Sequence, residues 1–164
     1  MIGGTNSQQQ PNTMNTMRIN AELRYAAKNG RTVEVAALLD RGADIHTDDD
    51  APLCLAARGG HTETVACLLD RGANPHIWGC EPFRLAATHG HGDIVALLLD
   101  RGVEVDVWDG YALRWAVENG HTDTVVLLLD RGADAYGLNG EPLRLARGNG
   151  HTGIIEILKK ALSS

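Results

Sequence analysis

Large rings are scarce in this chain: 4% of its 164 residues are aromatic, with Phe 1, Tyr 3 and Trp 3. A sandwich or barrel filled by aromatic side chains is excluded, and a core of small and branched aliphatic residues is expected. Serine occurs only at Ser7, Ser163 and Ser164, and no Gly-x-Ser-x-Gly is present, so there is no nucleophile elbow. No glycine is followed by lysine, which removes the phosphate-cradling loop of nucleotide hydrolases. No run approaches the ~18 apolar residues of a membrane span, and the N-terminal stretch MIGGTNSQQQPNTMNTMRIN has no apolar leader region. Cysteine is limited to Cys54, Cys67 and Cys80, an odd set without Cys-x-x-Cys spacing. That pattern excludes a disulfide framework and suits a reducing compartment, so a cytoplasmic location is expected. Lys+Arg 15 against Asp+Glu 21 gives a net charge of -6, the wrong sign for gripping a phosphate backbone. Neither nucleic acid nor a membrane is an expected partner.

What the chain does have is repetition. The string Leu-Leu-Asp-Arg-Gly recurs at Leu38 to Gly42, Leu68 to Gly72, Leu98 to Gly102 and Leu128 to Gly132, a period of 30 residues without slippage. Gly30-Arg31, Gly60-His61, Gly90-His91, Gly120-His121 and Gly150-His151 keep the same spacing. Five copies follow: 21–50, 51–80, 81–110, 111–140 and 141–164. Leu113, Ala116 and Val117, then Asn119-Gly120, then Val125, Leu128 and Leu129 fit two helices joined by a turn. Pro52, Pro82 and Pro142 fall in the first turn of helix one, Thr62, Thr122 and Thr152 are candidate N-caps of helix two, and Gly42, Gly72, Gly102 and Gly132 stop it in a left-handed position. Such helices are shorter than the ~12–15 residues at which an isolated helix becomes marginal, so they must stack. The apolar columns Leu23/Leu53/Phe83/Leu113/Leu143, Ala26/Ala56/Ala86/Ala116/Ala146, Val35/Val65/Val95/Val125/Ile155 and Leu38/Leu68/Leu98/Leu128/Leu158 supply the surface for it. The fold class expected is all-α: a solenoid of five helix-turn-helix repeats over 21–164 with short projecting loops. Lys159, Lys160 and Glu156 at one end and Arg31, Glu22 and Glu34 at the other replace recurring residues, as solvent-facing terminal units require. Residues 1–20, rich in Asn, Gln and Thr, are expected to be a disordered tail.

The strings PLCLAARGGHTETVACLLDRGANP (52–75) and ALRWAVENGHTDTVVLLLDRGADA (112–135) resemble the ankyrin repeat, with its Leu-x-x-Ala-Ala, Gly-His, Val-x-x-Leu-Leu and Gly-Ala-Asp/Asn landmarks. The resemblance runs through about 21–162 and implies an antiparallel helix pair with a loop projecting at a right angle, the loops and first helices together forming a concave protein-binding face. It also implies a non-catalytic, monomeric interaction scaffold without cofactors. Two departures matter. Repeats of this kind are usually about 33 residues long, and the shortfall lies between the Gly-Ala-Asp/Asn block and the next helix, so a compact loop is expected in place of a hairpin. The usual Thr-Pro-Leu-His opening is replaced, and Arg24, Arg84, Arg114 and Arg144 form a column broken by Cys54. These guanidiniums are read either as structural donors to neighbouring loop carbonyls or as an anion-binding stripe, the first being favoured. Shortened repeats of this sort resemble the ankyrin sets of large DNA viruses, which suggests as an alternative a viral or bacterial adaptor directed at the host, acting in host cytoplasm.

His61, His91, His121 and His151 form one repeat column, for which the resemblance implies a hydrogen bond to a neighbouring backbone. His89, His91 and Cys80 are the nearest approach to a metal cluster, and no metal site is expected. Asp48, Asp49 and Asp50 are read as solvated loop residues, the Asp/Arg pairs at 40/41, 70/71, 100/101 and 130/131 as a solvated ladder, and Trp115 as core. Recognition is sought where columns vary. The loop tips and flanks carry Trp78, Trp108, Tyr111, Tyr136 and Leu138, with Asp106 and Asp109 beside Trp108, and these seven are the candidate partner-binding residues. Trp78 and Trp108 remain open between exposed contacts and buried staples between loops. The acidic groups favour a partner with a basic surface.

Overall fold

The computed structural model describes residues 13–77, 79 and 81–163. Among them it contains helices only: α1 (Thr13–Lys28), α2 (Thr32–Asp40), α3 (Thr47–Gly59), α4 (Thr62–Asp70), α5 (Glu81–Thr88), α6 (Gly92–Asp100), α7 (Val107–Glu118), α8 (Thr122–Asp130), α9 (Glu141–Gly148) and α10 (Thr152–Ala161), with a 3-10 turn at Leu138–Gly140. Odd-numbered helices stack on odd and even on even along the chain, while each odd helix packs antiparallel on the even one that follows it. The result is the one-dimensional stack that the 30-residue period predicts.

Each repeat folds this way because its apolar columns converge. Leu23, Leu53, Phe83 and Leu113 from the first helices meet Val35, Val65, Val95 and Val125 from the second, all at most 1% exposed. Ala26, Ala56, Ala86, Ala116 and Ala146 are fully buried between stacked first helices, where a larger side chain would hold the repeats apart. The second helix of the first repeat is stopped by a Schellman motif: Ala43 N–H donates to Leu38 O and Gly42 N–H to Leu39 O, both at 3.0 Å, with Gly42 at φ 89°. The pattern repeats at Gly72, Gly102 and Gly132.

Successive repeats are stapled by the histidine column. Nε2–H of His61 donates to the Lys28 carbonyl at 2.9 Å, His91 to Arg58 at 3.1 Å, His121 to Thr88 at 2.8 Å and His151 to Glu118 at 3.2 Å. The acceptors are at or next to the last residue of the preceding first helix, whose terminal carbonyls have no helical partner. On the opposite edge the Asp/Arg pairs run between repeats, Arg71 to Asp40 at 2.5 Å, Arg101 to Asp70 at 2.8 Å and Arg131 to Asp100 at 2.8 Å.

Four expectations are corrected. Helix α1 begins at Thr13, so 13–20 belongs to the first repeat and not to a tail: Ile19 is 6% exposed, and Asn20 Oδ1 accepts the Asp44 N–H at 2.9 Å. Residues 1–12 lie outside the described residues. The second helices are not capped by threonine; the N-cap positions are His61, His121 and His151 without a side-chain cap bond, because the imidazole is committed to the preceding repeat. Asp48 and Asp49 are exposed as expected, but Asp50 is not solvated. Asp50 is buried, accepts the Asn74 N–H at 3.0 Å and lies 3.0 Å from His46 Nδ1, and Asp48 pairs with Arg24. Trp115 is half-buried, its indole Nε1 enclosed but without a hydrogen-bond partner among the described residues.

Candidate functional site

The shortened loops do not form hairpins among the described residues. They end instead in a turn of left-handed helix. Asp48, Asp49 and Asp50 hold φ of 49°, 57° and 57°, Trp108, Asp109 and Gly110 hold 56°, 54° and 75°, and Asn139 and Gly140 hold 54° and 71°. Left-handed backbone costs an ordinary residue roughly 1–2 kcal/mol, less for Asn and Asp, which explains the tip composition except at Trp108. With three residues missing, this tight turn is what lets the chain reverse into the next first helix. The loop is set by side-chain acceptors: Asp44, Asn74 and Asp134 Oδ1 each take the backbone N–H two residues on at 2.9 Å.

Of the candidate binding residues, Trp108 is 63% exposed, Tyr136 58%, Leu138 54% and Tyr111 39%. Asp106 and Asp109 are exposed as well. Trp78 lies outside the described residues, as does Cys80, the third member of the metal reading. Trp108 combines both of its open readings. Its indole sits so close on Gly79 that a Cβ there would meet Nε1 at 2.1 Å, while most of the ring faces outward. The glycine permits a flat seat that any side chain would block.

Two neighbouring concavities result. One, of ≈ 220 Å³, lies between the third and fourth repeats, with Phe83 and Ala112 lining it together with Val107, Trp108 and Tyr111. The other, of ≈ 320 Å³, lies between the loop that precedes α7 and the loop that precedes α9 and is lined by Asp106, Asp109, Gly110, Asp134, Gly137 and Leu138. Tyr111 is steadied by Arg114, whose guanidinium lies 5.4 Å from the ring centroid and 3.6 Å from Glu141 of the next repeat. Tyr136 lines neither hollow but stands beside Gly140 at the second one's edge.

The arginine column is paired with carboxylates rather than loop carbonyls. Arg84 binds Glu81 through two contacts of 2.5 and 2.8 Å, which hold its pKa above the usual value, and Arg144 approaches Glu141 at 3.5 Å. A carboxylate one helical turn before the arginine is a stronger acceptor than a carbonyl. The anion-binding reading loses its free charge at Arg24 and Arg84, both already occupied.

His89 and His91 stack with centroids 6.0 Å apart, and each ring donates an N–H to a backbone carbonyl, His89 to Leu85 and His91 to Arg58. Among the described residues no three His, Cys, Asp or Glu side chains converge as a metal site would need. Cys54 is half-buried, and burial, reinforced by the Glu81 and Asp50 charges, pushes its thiol up to about 12, far from the range of a nucleophilic cysteine. No described helix is long and apolar enough to cross a membrane.

Reasoning from sequence missed Gly79, Val107 and Asp134 as parts of these hollows. Val107 stands in a variable column next to that of Trp108, which was the available signal. Asp134 was hidden by belonging to the recurring Gly-Ala-Asp landmark, so its second role beside Leu138 emerges only from the packing.

In comparison with known proteins, the chain matches ankyrin repeats (3 copies) over residues 23–109 and a further ankyrin repeat over residues 111–139. No curated protein matches it.

Proposed function

Because the chain belongs to the ankyrin repeat family, whose repeats are generally protein–protein interaction modules, we propose that it is a non-catalytic scaffold holding a protein partner along its loop and first-helix face. The observation carrying this reading is the division of labour among the side chains. Those that recur from repeat to repeat are engaged in stacking, stapling or capping, whereas Trp108, Tyr111, Tyr136 and Leu138 are large, exposed and peculiar to their own loops. Trp and Tyr are the residues that most often anchor interfaces, each able to contribute ~2 kcal/mol or more when its contact is truncated. Asp106 and Asp109 beside them favour a basic partner surface and speed its approach. The family is generally non-catalytic, and a thiol held up at about 12 and histidines committed to backbone carbonyls agree with that role here.

Affinity capture from a cell lysate, comparing the wild-type chain with a Trp108→Ala/Tyr111→Ala variant of unchanged helicity, tests the proposal. The captured partner is expected to be lost from the variant. Equal recovery of every captured protein by both would reject this face.

A further inference from the structure

The two hollows share one wall, and that wall sorts chemistry. The left-handed turn Trp108–Gly110 sends Trp108 to the side of Gly79 and Asp109 to the side of Leu138. On the first side the lining is aromatic and aliphatic, and its one ion pair, Arg84 with Glu81, is closed on itself. At ≈ 220 Å³ it is smaller than the ~300–1,000 Å³ of typical small-molecule sites and suits a single aliphatic side chain. On the second side stand Asp106, Asp109 and Asp134. None of the three has an ion-pair partner among the described residues, in contrast to Asp40, Asp70 and Asp100 of the ladder. Asp106 and Asp134 each accept one backbone N–H, which orients them and leaves their charge uncompensated.

Resting on the interaction reading above, we propose that this face takes an extended segment of a partner protein lying across the loop tip Trp108–Gly110, with an aliphatic side chain against Trp108 and Tyr111 and a Lys or Arg side chain among Asp106, Asp109 and Asp134. The spacing follows from the stack. Neighbouring packed helices lie ~8–10 Å apart, and an extended chain advances ~3.3 Å per residue, so hollows one repeat apart are bridged by about three residues. The apolar hollow anchors the segment, and the carboxylates decide its charge: an acidic residue at the basic position would meet uncompensated negative groups.

Random dodecapeptides displayed on phage and selected on the full chain are the probe, followed by fluorescence polarisation of the enriched peptides as synthetic copies. Enriched sequences should pair an aliphatic residue with Arg or Lys about three positions away. They should bind about tenfold more weakly to Asp109→Asn/Asp134→Asn, in which the new amide oxygen at position 134 still accepts the Tyr136 N–H and so preserves the loop. Replacing the peptide's basic residue by Glu should abolish binding. Peptides that bind this double variant undiminished but lose Trp108→Ala/Tyr111→Ala overturn this inference and leave the wider reading standing. Binding undiminished by either variant overturns both, and a selection that enriches nothing overturns the inference.

Discussion

The contact between Gly90 and His121 offers a quantitative test of how the repeats are held together. His121 donates Nε2–H to the Thr88 carbonyl at 2.8 Å, and its ring lies over Gly90, where an added Cβ would stand 2.5 Å from Nδ1. Replacing His121 by Ala removes a hydrogen bond of about 1 kcal/mol net and roughly 0.5 kcal/mol of apolar contact. Gly90→Ala acts twice: at φ 74° it adds about 1 kcal/mol of backbone strain, and by expelling the imidazole it forfeits the same ~1.5 kcal/mol. The double variant has no ring left to expel, so it loses about 2.5 kcal/mol rather than the additive ~4, a coupling of about 1.5 kcal/mol. Urea unfolding followed by circular dichroism measures all three. With an unfolding entropy near 2.1 cal/mol/K per residue, His121→Ala should lower Tm by about 4 °C and each of the other two by about 7 °C. Additivity within about 0.5 kcal/mol would refute the shared contact, and with it the claim that imidazole over glycine joins adjacent repeats.

The strained loop tips should respond in the opposite direction. Asp49 is exposed at φ 57°, so Asp49→Gly is expected to stabilise the chain by about 0.5–1 kcal/mol in the same urea assay, whereas Asp49→Val should destabilise it. Cys54 gives a pH dependence with a defined sign. Its folded value of about 12 lies above the ordinary 9.0, so its contribution to stability is complete below pH 9 and disappears as pH rises toward 12, the unfolded thiol ionising first. The urea midpoint of the wild type should therefore fall more steeply between about pH 9 and 11 than that of Cys54→Ala, and parallel curves would contradict the burial assigned to this thiol.

The stack itself is legible in the sequence because repetition makes sequence and structure share a period. Ala86 and Leu98 recur at fixed spacing, and only a helix pair buries both columns at once. The glycine stops were legible for the same reason, since a left-handed residue after Leu-Leu-Asp-Arg has a local cause. Threonine before helix two misled because capping is a local preference, and a contact from another repeat outweighed it at His121. Asp50 of the first loop misled likewise. Nothing local distinguishes Asp49, which faces water, from Asp50, which is 4% exposed and takes an N–H from Asn74 in the next repeat.

What the order of residues determined by itself was the unit: two short amphipathic helices, their stops, their number and the directions in which they could stack, all consequences of interactions within about one repeat's length. Tertiary structure decided what depends on the distance between repeats. It placed the indole of Trp108 on Gly79, brought Arg114 within 3.6 Å of Glu141 in the next repeat, and opened an apolar hollow on one side of a loop and an acidic one on the other. The indole seat and the two hollows depend on side chains about 30 positions apart coming within a few ångströms, and local propensity holds no information about that separation.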